Sequence, residues 1–163
     1  MTRAEIISAL KANFDIKELV CPHTYARFGD NSWQFLQTPL LHTLLVLRTK
    51  ILNVPLNCNN WYKVGGKLSQ RGLRCNLCEE VKKYTDINRT YLSAHVQGLA
   101  VDLTSPKMKA QQMRDIIKDH ADDLPYPVRI EQNDGDNPTW LHIDCYDTAK
   151  GKKITRCLAI QAE

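Results

Sequence analysis

A chain of 163 residues is long enough for one domain with a core of its own. It is 43% hydrophobic and 25% charged, and no apolar run approaches the roughly 20 residues of a membrane span, so membrane insertion is not expected. The formal net charge of +4 suits solubility and adhesion to an anionic polymer such as a bacterial wall; with no basic stripe interleaved with aromatics, nucleic acid is not expected as a partner.

The opening Met-Thr-Arg-Ala-Glu runs into an amphipathic pattern, not a signal peptide. A helix is expected over residues 3 to 13, because Thr2 and Glu5 have capping-box spacing and Ile6, Ile7 and Leu10 form an apolar stripe. Asp15 and Glu18 repeat the signal for a short helix through Val20, stopped near Pro22. An irregular segment with Gly29-Asp30-Asn31 follows. Thr38-Pro39 then opens the strongest helix, apolar over a wide arc from Leu40 to Leu52 and hence expected to be central and buried. A strand is expected over residues 54 to 61, a turn at Gly65-Gly66, and a solvated loop or short helix over 76 to 91.

Residues 98 to 104 alternate in the manner of a strand, with Leu99, Val101 and Leu103 on one face and Gly98, Ala100 and Asp102 on the other. Gly and Ala there leave room for an ion and a substrate. Ser105-Pro106 is expected to start another helix, with Met108, Met113, Ile116 and Ile117 inward. Strands follow over 128 to 131 and 139 to 146, joined by a turn at 133 to 137, and an edge strand over 153 to 158. The fold class is α+β: one domain with an antiparallel sheet carrying the site, backed by helices.

The chemistry concentrates at His95, Asp102 and His142. His142 shares its strand face with Trp140, Asp144 and Tyr146. Two histidines and one aspartate make a three-ligand site with an open fourth position, the arrangement of catalytic zinc. The alternative is ordinary polar residues at strand ends. The six cysteines, lacking an export signal, read as reduced thiols, with Cys58, Cys145 and Cys157 as core filler. Cys21-Pro22-His23 and Cys75-x-x-Cys78 can supply four soft ligands for a structural zinc ion. Nothing in the sequence says that these two segments meet, and incidental thiols are the competing reading.

Ser93-x-His95-x-x-Gly98-x-Ala100-x-Asp102, followed by Trp140-x-His142, resembles the zinc D-Ala-D-Ala carboxypeptidase family. That family includes the dipeptidases of vancomycin resistance and phage L-alanyl-D-glutamate endopeptidases, and it shares a fold with the Hedgehog signalling domain. The resemblance covers roughly residues 35 to 147, the family core, with residues 1 to 34 resembling an N-terminal helical addition of some members; it implies zinc held by His95, Asp102 and His142. It also implies an arginine at the substrate, best matched by Arg74, with Arg71 competing. Ser93 is expected to hydrogen-bond substrate or to form a turn, and Trp140 to wall the cleft or to fill the core.

Members of that family place a glutamate base three residues before the last histidine, where this chain has Thr139. The nearest substitute is Glu131, on the partner strand of the expected hairpin, which would lay residues 129 to 132 beside 139 to 142. Asp144 is expected to hold a ligand imidazole, or failing Glu131 to serve as base. The implied activity is hydrolysis of peptidoglycan stem peptides next to a D-amino acid, by a D,D-carboxypeptidase or an endopeptidase of phage or prophage type. A non-catalytic zinc-containing module that binds wall or protein is the alternative. The chain is expected to be made in the cytoplasm and to act at the wall after release, or as part of a virion.

Overall fold

The computed structural model describes residues 1–131, 138–146 and 153–157. Helix α1 (Arg3–Lys11) starts as its capping box requires: the Glu5 amide donates to Thr2 Oγ1, and the Thr2 amide to Glu5 Oε2. Asp15 caps the single turn α2 (Ile16–Leu19) by accepting from the Lys17 amide. Helix α2 stops before Pro22, as expected, but Pro22 does not end the helical region. It opens α3 (Pro22–Phe28), followed by a 3-10 segment over Gly29–Phe35. Proline at a first helical turn loses nothing, because its missing N–H would have had no partner there.

Helix α4 (Thr38–Val46) continues into a π turn over Leu47–Ile51. Thr38 is its first residue, not its cap, and takes a hydrogen bond from Arg3. Leu40, Leu41, Leu44, Leu45, Leu47, Ile51 and Leu52 are all buried, so this is the central helix, with α1 packed on it. The same hydrophobic cluster runs from Ile6 to Cys145 and therefore joins the N-terminal helices to the sheet.

Residues 54 to 61 do not form the expected strand. One bridge remains, in which Asn57 and Thr104 exchange backbone hydrogen bonds. Pro55 has no N–H for a ladder, and two asparagines offer side chains in its place: Asn59 Oδ1 accepts from the Arg71 amide and Asn60 Oδ1 from the Leu68 amide. A short helix, α5 (Glu79–Thr85), forms in the polar stretch after it.

The sheet holds β1 (Ala100–Leu103), β2 (Val128–Glu131), β3 (Leu141–Asp144) and β4 (Ile154–Cys157) in the order β1-β3-β2-β4. The first three are antiparallel, as expected; β4 adds to β2 in parallel, which the sequence did not suggest. Val101, Leu103, Val128, Ile130, Leu141 and Ile143 fill the core face together with Met113 and Ile117 of α6 (Ala110–Asp119). That helix begins later than Ser105-Pro106, whose serine donates instead to the Pro55 carbonyl. Buried Arg114 of α6 donates to the carbonyls of Pro138 and Trp140 and so fixes the entry to β3. The expected turn at 133 to 137 lies outside the described residues, as does the Cys157 side chain.

Gly98 corrects a sequence-level expectation. It does not make room for a ligand. Its φ is +69°, and a Cβ there would stand 2.1 Å from the Phe35 carbonyl oxygen. Its own carbonyl takes a 2.9 Å hydrogen bond from the Gln37 amide. Gly98→Ala should therefore lose about 2–4 kcal/mol, combining a left-handed non-glycine residue with a backbone clash. Urea denaturation checks this, and an unchanged midpoint would refute it.

Candidate metal centre

Strand pairing builds the site. In the β1–β3 ladder Asp102 faces His142 and Ala100 faces Asp144; in the β2–β3 ladder Arg129 faces Asp144. Paired residues point to the same side of a sheet. Asp102, His142, Asp144 and Arg129 thus share the face opposite the core, and alternation puts Glu131 on it too. The register differs by two residues from the one expected for the hairpin. An even shift leaves every side chain on its face.

His95 arrives from the turn before β1. There the Ser93 carbonyl accepts from the Val96 and Gln97 amides, and the Leu99 amide donates to the Ala94 carbonyl. Ser93 Oγ itself accepts from the Val96 amide at 3.4 Å, which is the turn-forming role. The result is a group of three: His95, Asp102 and His142 offer ligand atoms within 4.8 Å of one another. His95 Nε2 stands 3.5 Å from Asp102 Oδ2, and His142 Nδ1 2.8 Å from Asp102 Oδ1. Tetrahedral bonds of about 2.0–2.1 Å to N and O place ligand atoms about 3.3 Å apart. The two separations bracket that value.

The far nitrogens of both rings are already engaged. His95 Nδ1 lies 2.9 Å from the Gly72 carbonyl oxygen, which can only accept. His142 Nε2 lies 3.1 Å from Asp144 Oδ2. Each acceptor fixes a tautomer and turns the other nitrogen toward Asp102, as outer-sphere partners do in metal sites. The donor set of two imidazoles and a carboxylate fits a metal ion.

Electrostatics agree with this geometry. Burial pushes His95 below its ordinary pKa, so it stays neutral. Burial also disfavours a charge on Asp102, but hydrogen bonds from His142 and His95 prevail and hold its carboxyl below the usual range. For His142, burial is likewise outweighed by the bonds to Asp102 and Asp144, and the imidazole is raised to about 9. A metal ion at His142 therefore competes with a proton.

Asp144 is fully buried and has no spare oxygen lone pairs for proton transfer. Arg129 donates to both oxygens at 2.8 and 3.0 Å, His142 to one, and the Tyr146 amide to the other. Sequence reasoning missed Arg129, whose place opposite Asp144 needs the register. It also missed Gly72, whose role is carried by a backbone atom. Trp140 is half-buried beneath the Arg71 guanidinium, which sits 5.7 Å from its ring.

Of the two competing arginines, Arg74 reaches the site. Its Nη2 stands 3.7 Å from Asp102 Oδ2, Nε donates to the Gln70 carbonyl and Nη1 to the Tyr91 hydroxyl. Gln97 Nε2 donates to the Tyr146 hydroxyl.

The cysteine segments, which the sequence left unconnected, do meet. Cys21, His23, Cys75 and Cys78 form a second group able to hold a metal ion. No family model matches the chain, and no curated protein or solved structure matches it either.

Asp144→Asn keeps the size but replaces one accepting oxygen by an NH2 donor and so weakens the hold on His142. It should lower zinc affinity at the His95–Asp102–His142 group roughly 10–100-fold, the usual cost of removing an outer-sphere partner. His142→Ala should abolish binding there. Competition titration against a chromophoric chelator measures both; wild-type affinity in Asp144→Asn would remove Asp144 from the site.

Proposed function

We propose that the chain is a zinc peptidase acting on peptidoglycan stem peptides next to a D-amino acid, as a D,D-carboxypeptidase or an endopeptidase. The observation that carries this reading is the His95–Asp102–His142 group, set within a motif that resembles the zinc D-Ala-D-Ala carboxypeptidase family. Three nitrogen and oxygen ligands, with the rest of the coordination sphere left to solvent or substrate, are the pattern of catalytic and not of structural zinc. Zinc bound there would supply a Lewis acid for the scissile carbonyl and acidify an attacking water.

The chain's own groups supply the remainder. Arg74 is held by Gln70 and Tyr91 with one amino group turned to the metal face, where a guanidinium can bind a substrate carboxylate or a developing oxyanion. Glu131 is half-buried on the same sheet face and is the carboxylate we assign to proton transfer. Asp144 is spent on His142 and Arg129 and serves to orient the imidazole. A wall enzyme of phage or prophage origin, released to the wall or carried in a virion, is the setting that suits such chemistry.

One observation favours a second reading. Thr139 is exposed and occupies the position at which the resembled family keeps its base. A metal-containing module that binds wall or protein without turnover has the same three ligands and needs no base. Product analysis on purified muropeptides separates the two. The peptidase reading expects cleavage that a chelator stops and zinc restores. Glu131→Gln should retain metal and melting temperature while turnover falls by about 100-fold or more. Fully metallated protein with no cleavage of any stem peptide would leave the binding module; full activity in Glu131→Gln would move the base elsewhere.

A further inference from the structure

The second cluster lies outside the site just described and draws on distant parts of the chain. Cys21 precedes α3 and His23 is in its first turn; Cys75 and Cys78 lead into α5. Cys75 Sγ is 3.7 Å from His23 Nδ1 and 4.0 Å from Cys78 Sγ, and Cys78 Sγ is 3.9 Å from His23 Nδ1. All four ligand atoms fall within 4.8 Å of one another. Zinc–sulfur bonds of about 2.3 Å and zinc–nitrogen bonds of about 2.0–2.1 Å span tetrahedral edges of about 3.5–3.8 Å. The observed edges lie close to these values. A sulfur–sulfur distance of 4.0 Å is no disulfide, whose bond is about 2.05 Å.

The surroundings suit a thiolate site. The Leu77 amide donates to Cys75 Sγ at 3.4 Å, and Thr24 Oγ1 lies 3.1 Å from Cys21 Sγ. Cys21 and Cys78 are buried, whereas His23 is exposed and lines a surface groove with Pro22 and Leu77, which leaves a route for an ion. Hydrophobic packing here is thin. Among the described residues, Cys21, Cys78 and Val81 form their own small cluster, apart from the main core, with Cys75, Tyr91 and Val96 packed against it. Such a patch gains little from apolar burial, and a metal ion is the usual substitute.

We propose that Cys21, His23, Cys75 and Cys78 bind one structural zinc ion, and that this ion clamps the 70–78 turn to α3 so that Arg74 stands at Asp102. Residues 70–74 have ties of their own: the Arg71 amide donates to Asn59 Oδ1, the Arg71 carbonyl accepts from the Asp102 amide, and the Gly72 carbonyl accepts from His95 Nδ1. Leu73 pairs with Leu19 and Cys21 through its amide and carbonyl, and the Arg74 amide donates to the His95 carbonyl. The backbone bonds of Cys75 and Cys78 are local, and it is this end that the ion secures. Arg74 is the immediate neighbour of a ligand, so the ion fixes its backbone directly. The inference stands on this cluster alone and holds for either reading of the His95–Asp102–His142 group.

Cobalt substitution of the whole protein tests it. Thiolate ligands give intense near-ultraviolet charge-transfer absorption on cobalt, which two imidazoles and a carboxylate cannot produce. Wild-type protein should show that band together with tetrahedral visible bands, and His142→Ala should retain both. Cys75→Ser and Cys78→Ser should lose the thiolate band and one equivalent of zinc. Their apparent melting temperature should fall by more than about 5 °C, because a ligand bound only to the folded state stabilises it. Hydrogen exchange should quicken in residues 70–78 and stay slow in β1 and β3. Absence of the thiolate band from wild-type protein overturns the site whatever the variants do. A band present without faster exchange at 70–78 in Cys75→Ser overturns the clamp.

Discussion

Everything at the main site depends on one pairing, Asp102 opposite His142 in the β1–β3 ladder. A one-residue slip would turn His142 into the core and bring Leu141 or Ile143 to the polar face. The hydrophobic face forbids that slip. Val101, Leu103, Leu141 and Ile143 are each essentially without solvent exposure. Core packing thus sets the coordinates of the ligands, although no ligand belongs to the core. The Asp102 amide is also tied to the Arg71 carbonyl, so the carboxylate is held from the strand and from the turn that carries Arg74.

The parts legible in the sequence were those set by local periodicity. Alternation separated Val101 and Leu103 from Asp102, and the spacing Trp140-Leu141-His142 did the same for β3. The capping box at Thr2 and the leucine-rich arc of α4 were equally local. Illegible features depend on partners far along the chain. Asn59 and Asn60 bond to the 68–71 segment, which turned an expected strand into an irregular stretch with one bridge. Gly98 answers to the Phe35 carbonyl. Cys21 and His23 lie more than fifty residues from Cys75 and Cys78, and no pattern within either segment states that they meet.

The two clusters are joined by a short path of rigid contacts. Cys75 follows Arg74; Arg74 touches Asp102 through its side chain and His95 through its amide; His95 and Asp102 are both members of the first group. Gly72, two residues before Arg74, supplies the carbonyl that fixes the His95 tautomer. The 70–78 turn therefore contributes to the first group twice without providing a ligand. A segment with this role must be stiff, yet it is mostly irregular; Leu73 packs in the main core, while Cys75 and Cys78 belong to the smaller hydrophobic cluster.

Charge decides what such a site can attract. With the histidines neutral, as metal ligation requires, Asp102 and Asp144 balance Arg74 and Arg129 on this face; without metal the protonated His142 adds one positive charge. Glu131 adds one negative charge on the same side of the sheet. A divalent ion would leave the face net positive, with Arg74 at its edge. The ion then makes the largest single contribution to the charge of the site. The catalytic and the binding reading share that arrangement. The two readings differ over what the chain does with the proton. Asp144 is closed off by Arg129, and Thr139 has no basicity to offer, so the choice turns on Glu131 alone among the carboxylates identified on this face.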